Sequence, residues 1–268
     1  MPRRLSDEQI TSYHRNGYYL PIRVLEPARA AECLAAADEL EARLGPGVRP
    51  TDMNCLHLHF PWAYDLVTAP AVLDAAEDVL GPDIVVWGVS LFSKHGDGAS
   101  YVSWHQDGTY WNLDGTQLVT AWIALSPSTV ENGCMRVVAG SHDLEYQKHR
   151  DTYTNENLLS RGQEVAVEVD EADAVDLVLQ PGEMSLHNIR IIHGSNANCT
   201  NQKRVGFVIR YTTPQVRQLG TRPKAVLARG QCDDEHYQFV DRPQFVSMDA
   251  AIEQMRQTAA EHLKSVMR

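Results

Sequence analysis

Ser103-Trp104-His105-Gln106-Asp107-Gly108-Thr109-Tyr110-Trp111 is the stretch on which the reading of this chain turns. Residues two apart on a β-strand point to the same side, so His105 and Asp107 can face one ion together if the stretch lies on a strand at the mouth of a pocket. The surrounding sequence supports such a strand. From Ile84 onward the texture is β-branched and aromatic, broken by Gly, Pro and Asn, with strand-like runs over 84–94, 117–125, 134–138, 165–169, 174–179, 183–187 and 204–211. Many short strands punctuated by turns predict a sandwich or jelly roll, which closes a small pocket between two sheets.

The flanks read differently. Ser6 with Gln9 forms a capping box for a helix ending near Gly17, and Pro27 opens an alanine-rich helix stopped by Gly45-Pro46-Gly47. Thr68 begins a third helix, with Gly81 as its stop. At the far end, Ile252, Met255, Ala259 and Leu263 share one stripe of a helix over 248–266, predicted to pack on the outside of the core. The expected class is therefore mainly β (α+β): one domain over 1–268, with a helical part over about 1–82, a jelly-roll core over about 83–215 and a C-terminal extension over about 216–268. No internal repeat or low-complexity linker interrupts it.

Composition narrows the function. The chain has 268 residues, 43% of them apolar, enough to bury a substantial core. A formal charge of -11 argues against nucleic acid or anionic lipid, which select clustered Lys and Arg, and leaves a small-molecule substrate as the expected partner. No apolar run reaches membrane-spanning length, and the start runs straight into a helix signal, so a cytoplasmic protein is expected. Five scattered cysteines without a C-x-x-C fit reduced thiols. Monomer and homodimer both remain open.

Three H-x-D pairs occur (His95/Asp97, His105/Asp107 and His149/Asp151), against roughly one expected by chance, so context must choose. His105 and Asp107 lie between aromatic residues after a glycine-containing loop; His149 and Asp151 sit in a charged loop. For a further ligand His187 and His193 compete. His193 is followed by the small pair Gly194-Ser195 and, eleven positions on, by Arg204 at the start of an apolar strand. His187 also reads as a hydrogen-bonded core histidine. An arginine entering a sheet interior requires an anion, which a bound dicarboxylate would supply through a bidentate pair. Arg210, an even number of residues along, is the second candidate. Two imidazoles and one carboxylate on one face leave three adjacent coordination positions, the arrangement of mononuclear non-haem iron(II) oxygenases. Trp104, Tyr110, Trp111 and the segment 54–64, with His57, His59 and Trp62, are expected to wall the substrate pocket; segment 54–64 reads equally as a loop packed over the sheet.

Three segments in order, His105 to Trp111, Glu131-Asn132-Gly133-Cys134-Met135-Arg136-Val137 through Gly140-Ser141-His142, and Pro181-Gly182-Glu183 through His193-Gly194-Ser195 with Arg204, resemble the phytanoyl-CoA dioxygenase family of Fe(II)/2-oxoglutarate oxygenases. The resemblance covers roughly residues 5–215. It implies a double-stranded β-helix core, iron on His105, Asp107 and His193, and 2-oxoglutarate chelating that iron while its far carboxylate meets Arg204, helped by Ser195. It further implies that Ser93, Thr120 and Trp122 line the co-substrate, and that O2 is consumed with release of succinate and CO2. Halogenating relatives replace the carboxylate with Gly or Ala. Asp107 therefore points to hydroxylation or another oxygen-driven outcome such as desaturation. The alternatives are a metal-dependent cupin-type isomerase or epimerase, which would not need Arg204, and a ligand-binding jelly roll without catalysis. A zinc hydrolase is disfavoured because H-E-x-x-H is absent.

Overall fold

The computed structural model describes residues 3–233 and 235–266. Among the described residues five helices, α1 (Asp7–Asn16), α2 (Pro27–Leu44), α3 (Pro61–Val67), α4 (Pro70–Leu80) and α5 (Met248–Val266), flank thirteen strands. These are β1 (Tyr18–Arg23), β2 (Ile84–Lys94), β3 (Val102–His105), β4 (Leu118–Ala124), β5 (Met135–Val138), β6 (His149–Asp151), β7 (Gln163–Val165), β8 (Ala174–Leu177), β9 (Glu183–Asn188), β10 (His193–Ser195), β11 (Arg204–Thr212), β12 (Lys224–Arg229) and β13 (Gln238–Phe239). A large sheet has the order β1-β9-β4-β11-β2-β12-β13 and a small one β3-β10-β5-β8; β6 and β7 form a separate ribbon. Together they make the jelly roll expected from the strand spacing.

The two sheets bury their residues differently, and the sequence pattern follows. One face of the large sheet packs on helices: Leu91, Ile123, Leu186, Phe207 and Ile209 share a core with Leu40, Ala63, Leu66, Val72 and Ala76 of α2, α3 and α4. Its other face packs on the small sheet, where Trp122, Ala124 and Val208 meet Met135, Val137 and Leu177. Covered on both sides, β4 is buried at every position and β2 and β11 at all but one, hence their unbroken apolar runs. The small sheet has one face outward, and β3 and β5 alternate accordingly.

Several boundaries differ from the sequence expectation. The helical N-terminal part contains β1, which pairs with β9 at the sheet edge, the place where a strand can carry a proline such as Pro21. Segment 54–64 is not a single loop, because Pro61 opens α3. The third predicted helix is α4, which begins at Pro70 rather than at Thr68; Thr68 instead caps the end of α3, a helix the sequence reading did not expect. The run over 165–169 only touches β7, and the charged loop at His149 is strand β6. Beyond residue 215, β12 pairs with β2 and extends the large sheet, so the sheet outlasts the predicted core boundary. Among the described residues, no helix is long and apolar enough to cross a membrane.

Candidate active site

Cross-strand register builds the site. His193 of β10 lies directly opposite His105 of β3, and their rings stand 4.1 Å apart between centroids. Asp107 is not on a continuous strand with His105; it opens a single helical turn, Asp107–Thr109, just past the end of β3. Its Oδ1 comes within 3.4 Å of His105 Nε2. One ligand atom from each of His105, Asp107 and His193 lies within 4.8 Å of the others. In both histidines Nδ1 bonds the backbone carbonyl two residues earlier, Ser103 O at 2.9 Å and Ile191 O at 3.0 Å. A carbonyl only accepts, so Nδ1 carries the proton and Nε2 presents its lone pair to the cluster. The donor set thus fits a small divalent metal held on one side. Burial alone would raise the Asp107 carboxyl, but the neighbouring His105 and His193 imidazoles and Arg210 hold it below the usual range. Burial keeps His193 well below its ordinary value and so neutral, as a ligand must be.

Gln106, between the first two ligands, locks the loop. Its backbone N–H donates to His149 Nε2 at 3.0 Å, and its side chain accepts from Gln147 N and donates to Arg190 O, each at 2.7 Å. That bond occupies His149, the histidine of a rival H-x-D pair, and His95 of the other pair meets Glu41 on the surface at 3.1 Å. His187 is buried beside the cluster, its ring 4.9 Å from that of His193 and its Nε2 3.9 Å from Asp107 Oδ2. Burial lowers its pKa to about 4, and neither ring nitrogen has a partner.

The floor of the cavity is the inner face of the large sheet. His187 of β9, Thr120 of β4, Arg210 of β11 and Gly88 of β2 lie side by side in one row across it. Thr120 Oγ1 donates to Asp107 Oδ2 at 3.4 Å, so the triad sits over this row. Ser185, Trp122, Val208 and Ser90 form the next row, and Arg204 opposite Lys94 stands two rows further along. Arg204 is buried, lies 5.3 Å over the Trp122 ring and donates to Gly133 O at 2.5 Å. Lys94 is equally buried and donates to Ser195 Oγ at 2.6 Å and Asn196 O at 2.5 Å. Burial, and then Arg204, push Lys94 down to about 6, while burial lowers Arg204 to about 10. Among the described residues no carboxylate pairs with either cation. A buried guanidinium without an anion, with the Lys94 amine beside it, makes an anion site.

Of the residues singled out in the sequence, His105, Asp107, His193, Ser195, Arg204, Arg210, Thr120, Trp122, Tyr110 and Trp111 line this one cavity. His187 lines it as well; Trp104, Ser93, His57, His59 and Trp62 do not. Trp104 points to the opposite side of β3 from His105, as neighbours on a strand must, and lies 5.5 Å under the Arg136 guanidinium. Ser93 alternates with Lys94 and lies beside Glu41 of α2. His57 is fully buried, His59 bonds Thr258 of α5 at 3.0 Å, and Trp62 packs on Phe207, which faces the helices. The sequence reading missed Lys94, although a lysine closing an eleven-residue apolar strand poses the same question as Arg204. It also missed that α5 does more than pack outside, since His262 and Leu263 reach the cavity.

A family model described as phytanoyl-CoA dioxygenase matches residues 13–206. The chain belongs to the phytanoyl-CoA dioxygenase family. It is 30% identical over 159 residues to a probable alpha-ketoglutarate-dependent hypophosphite dioxygenase of Stutzerimonas stutzeri, covering 58% of this chain and 54% of that protein. The match therefore spans about half the length of that relative. Similarity to an ectoine dioxygenase of Bordetella parapertussis is 24% over 262 residues, 84% of this chain and 83% of that one. Among solved structures, the apo form of the non-heme monooxygenase ThoJ is 32% identical with a TM-score of 0.83, covering 96% of this chain and 97% of that one. A nickel complex of ThoJ superposes with a TM-score of 0.77 at 29% identity.

Proposed function

We propose that this chain is an Fe(II)- and 2-oxoglutarate-dependent dioxygenase that hydroxylates a small, free metabolite, or oxidises it otherwise. The observation that carries the reading is the pairing, in one cavity, of a His105/Asp107/His193 cluster with a buried Arg204 that has no carboxylate partner. His105, Asp107 and His193 would hold the iron, and the similar ThoJ, solved as a nickel complex, supports a metal-binding protein. Bound together, iron and 2-oxoglutarate supply the chemistry: activation of O2, with decarboxylation of the co-substrate to succinate and CO2.

The chain's own residues bind and orient. Arg204 and Ser195 take the far carboxylate, Lys94 holds Ser195 in place, and the Trp122 ring supports the guanidinium from below. Thr120 steers Asp107 through its hydroxyl. Tyr110, Trp111 and Leu263 shield the cavity from water. Asp107 fills the position that a halide would require, which favours oxygenation over halogenation. A cupin-type isomerase would have no use for the Arg204 and Lys94 pair. The acidic surface supports a protein free in the cytoplasm, without a nucleic-acid or membrane partner.

The test is anaerobic addition of Fe(II) and 2-oxoglutarate to the purified protein, watching for the weak visible charge-transfer band of the chelate. The band should form, vanish in His105→Ala and weaken strongly in Arg204→Met. Iron binding without a band would remove 2-oxoglutarate from the assignment.

A further inference from the structure

The charges around the cavity do not balance. The protein as a whole carries -11, yet three arginines, Arg161, Arg204 and Arg210, line this cavity against one carboxylate, Asp107. Arg161 has Asp151 at 3.6 Å. On the dioxygenase reading, Arg204 is matched by the far carboxylate of 2-oxoglutarate, and Asp107 is taken up by the metal. Arg210 is left over.

Its setting is built rather than incidental. Arg210 Nη1 donates to Ser90 Oγ at 2.5 Å, and the guanidinium lies 5.0 Å from the centre of the Trp111 ring. Its Nε is closed off from solvent and has no hydrogen-bond partner. Among the described residues no carboxylate lies within ion-pair distance of Arg210, Asp107 included. The pairing of β11 with β2 slips at this point: Arg210 stands opposite Gly88 and Tyr211 opposite Val86, which leaves Trp87 as the extra residue of a bulge. Bulges re-aim side chains, and here the Trp87 indole lines the cavity, 5.1 Å from Trp111.

Position separates the two arginines. Arg210 shares its row with Thr120, directly under Asp107, whereas Arg204 is six residues away along β11, roughly 20 Å at a strand's rise per residue. A co-substrate reaching from the metal over Trp122 to Arg204 runs away from Arg210. The sequence had offered Arg210 as an alternative clamp for that carboxylate; the row it occupies suits the other end of the cavity.

We propose that Arg210 anchors an oxyanion, carboxylate or phosphoryl, carried by the substrate itself and held on the Trp111 side of the metal. With Nη1 engaged by Ser90 and Nε closed off, Nη2 is the guanidinium nitrogen that remains to grip it. Ser90 fixes the fork and the two indoles exclude water, so the pair forms in a poorly hydrated site. The inference rests on the dioxygenase reading for the charges of Arg204 and Asp107.

The experiment titrates wild-type and Arg210→Gln protein, anaerobic and loaded with Fe(II) and 2-oxoglutarate, with phenylacetate, its neutral amide phenylacetamide, and phenylphosphonate. Binding is followed by calorimetry and by the shift of the visible band. Wild type should bind at least one of the two anions about tenfold or more tighter than the amide, the scale of a hydrogen-bonded charge pair. Whichever anion is preferred identifies the oxyanion. Arg210→Gln should erase the preference while 2-oxoglutarate affinity stays within about threefold, and Arg210→Lys should restore part of it. Wild type that does not distinguish anion from amide overturns the proposal. So does an Arg210→Gln protein that loses 2-oxoglutarate while Arg204→Met keeps it. Calorimetry repeated on metal-free protein keeps the two readings apart: if no iron chelate forms, the dioxygenase reading fails whether or not the anion preference appears.

Discussion

Arg204 and Lys94 are 2% and 1% exposed and stand opposite each other on β11 and β2. Burying a guanidinium without an anion, beside a second basic group that it pushes toward the neutral form, costs free energy that the folded protein alone does not recover. This gives a prediction of opposite signs for stability and binding. In Arg204→Met, 2-oxoglutarate affinity should fall by about 2–5 kcal/mol, the cost of truncating one partner of a buried charge pair, or more than about thirtyfold. The metal-free protein should unfold at the same or a higher urea concentration than wild type, because an apolar chain of similar length replaces an unmatched charge. Urea unfolding and calorimetric titration of the same samples check both halves. A loss of more than about 1 kcal/mol in stability would instead make the bond to Gly133 O the reason for the arginine.

Among the strands, β11 is the one on which the co-substrate end depends most, and Gly206 is its sensitive position. A Cβ added there would lie 2.0 Å from Cζ2 of Trp122 and 2.2 Å from Cε2, so the indole of β4 occupies the space that glycine leaves. Gly206→Ala must displace that ring, at a cost of about 1–3 kcal/mol for overpacking, and with it the platform beneath Arg204. Metal affinity should change little, since His105, Asp107 and His193 come from β3, its following turn and β10, while 2-oxoglutarate affinity should fall clearly. Separate metal and co-substrate titrations decide; equal losses in both would show the whole sandwich to be disturbed. The elements were unevenly legible in the sequence. Strands β2 and β11 could be read to the residue or nearly so because both faces are buried and the apolar run is continuous. Strands β3 and β10, four and three residues long, are too short to show a period, and only their histidines marked them. Trp104 was misread because aromatic density was weighed without strand alternation. Lys94, at the end of the apolar run of β2, was legible by the argument used for Arg204, but its place opposite that arginine came only from register; the approach of α5 to the cavity depends on tertiary packing that a helical stripe alone does not encode.

The whole molecule buries several histidines in neutral form, and this sets its response to acid. Burial lowers His57 to about 3, with lesser contributions from His59 and His262, and takes His187 and His262 to about 4, against an ordinary value of 6.5. In the unfolded chain each takes up a proton as the pH drops below 6.5; in the folded protein each stays neutral until far lower. Below 6.5 the unfolded state therefore binds more protons, and stability falls with falling pH down to the folded values. Between about pH 7.5 and about pH 5.5, a histidine held near 3 contributes a loss of about 1.4 kcal/mol. His57 is the informative member of the set, because it is fully buried, is not among the residues lining the cavity, and has no hydrogen-bond partner at either ring nitrogen. His57→Phe should leave the metal-free protein with a pH-dependent loss smaller by about 1.4 kcal/mol over that interval, whatever the substitution does to stability at the higher pH. Urea unfolding of both proteins at the two pH values gives the difference of differences directly. An unchanged slope would mean that His57 gains its proton in the folded state, and would require a solvated or hydrogen-bonded ring where the structure has a dry one.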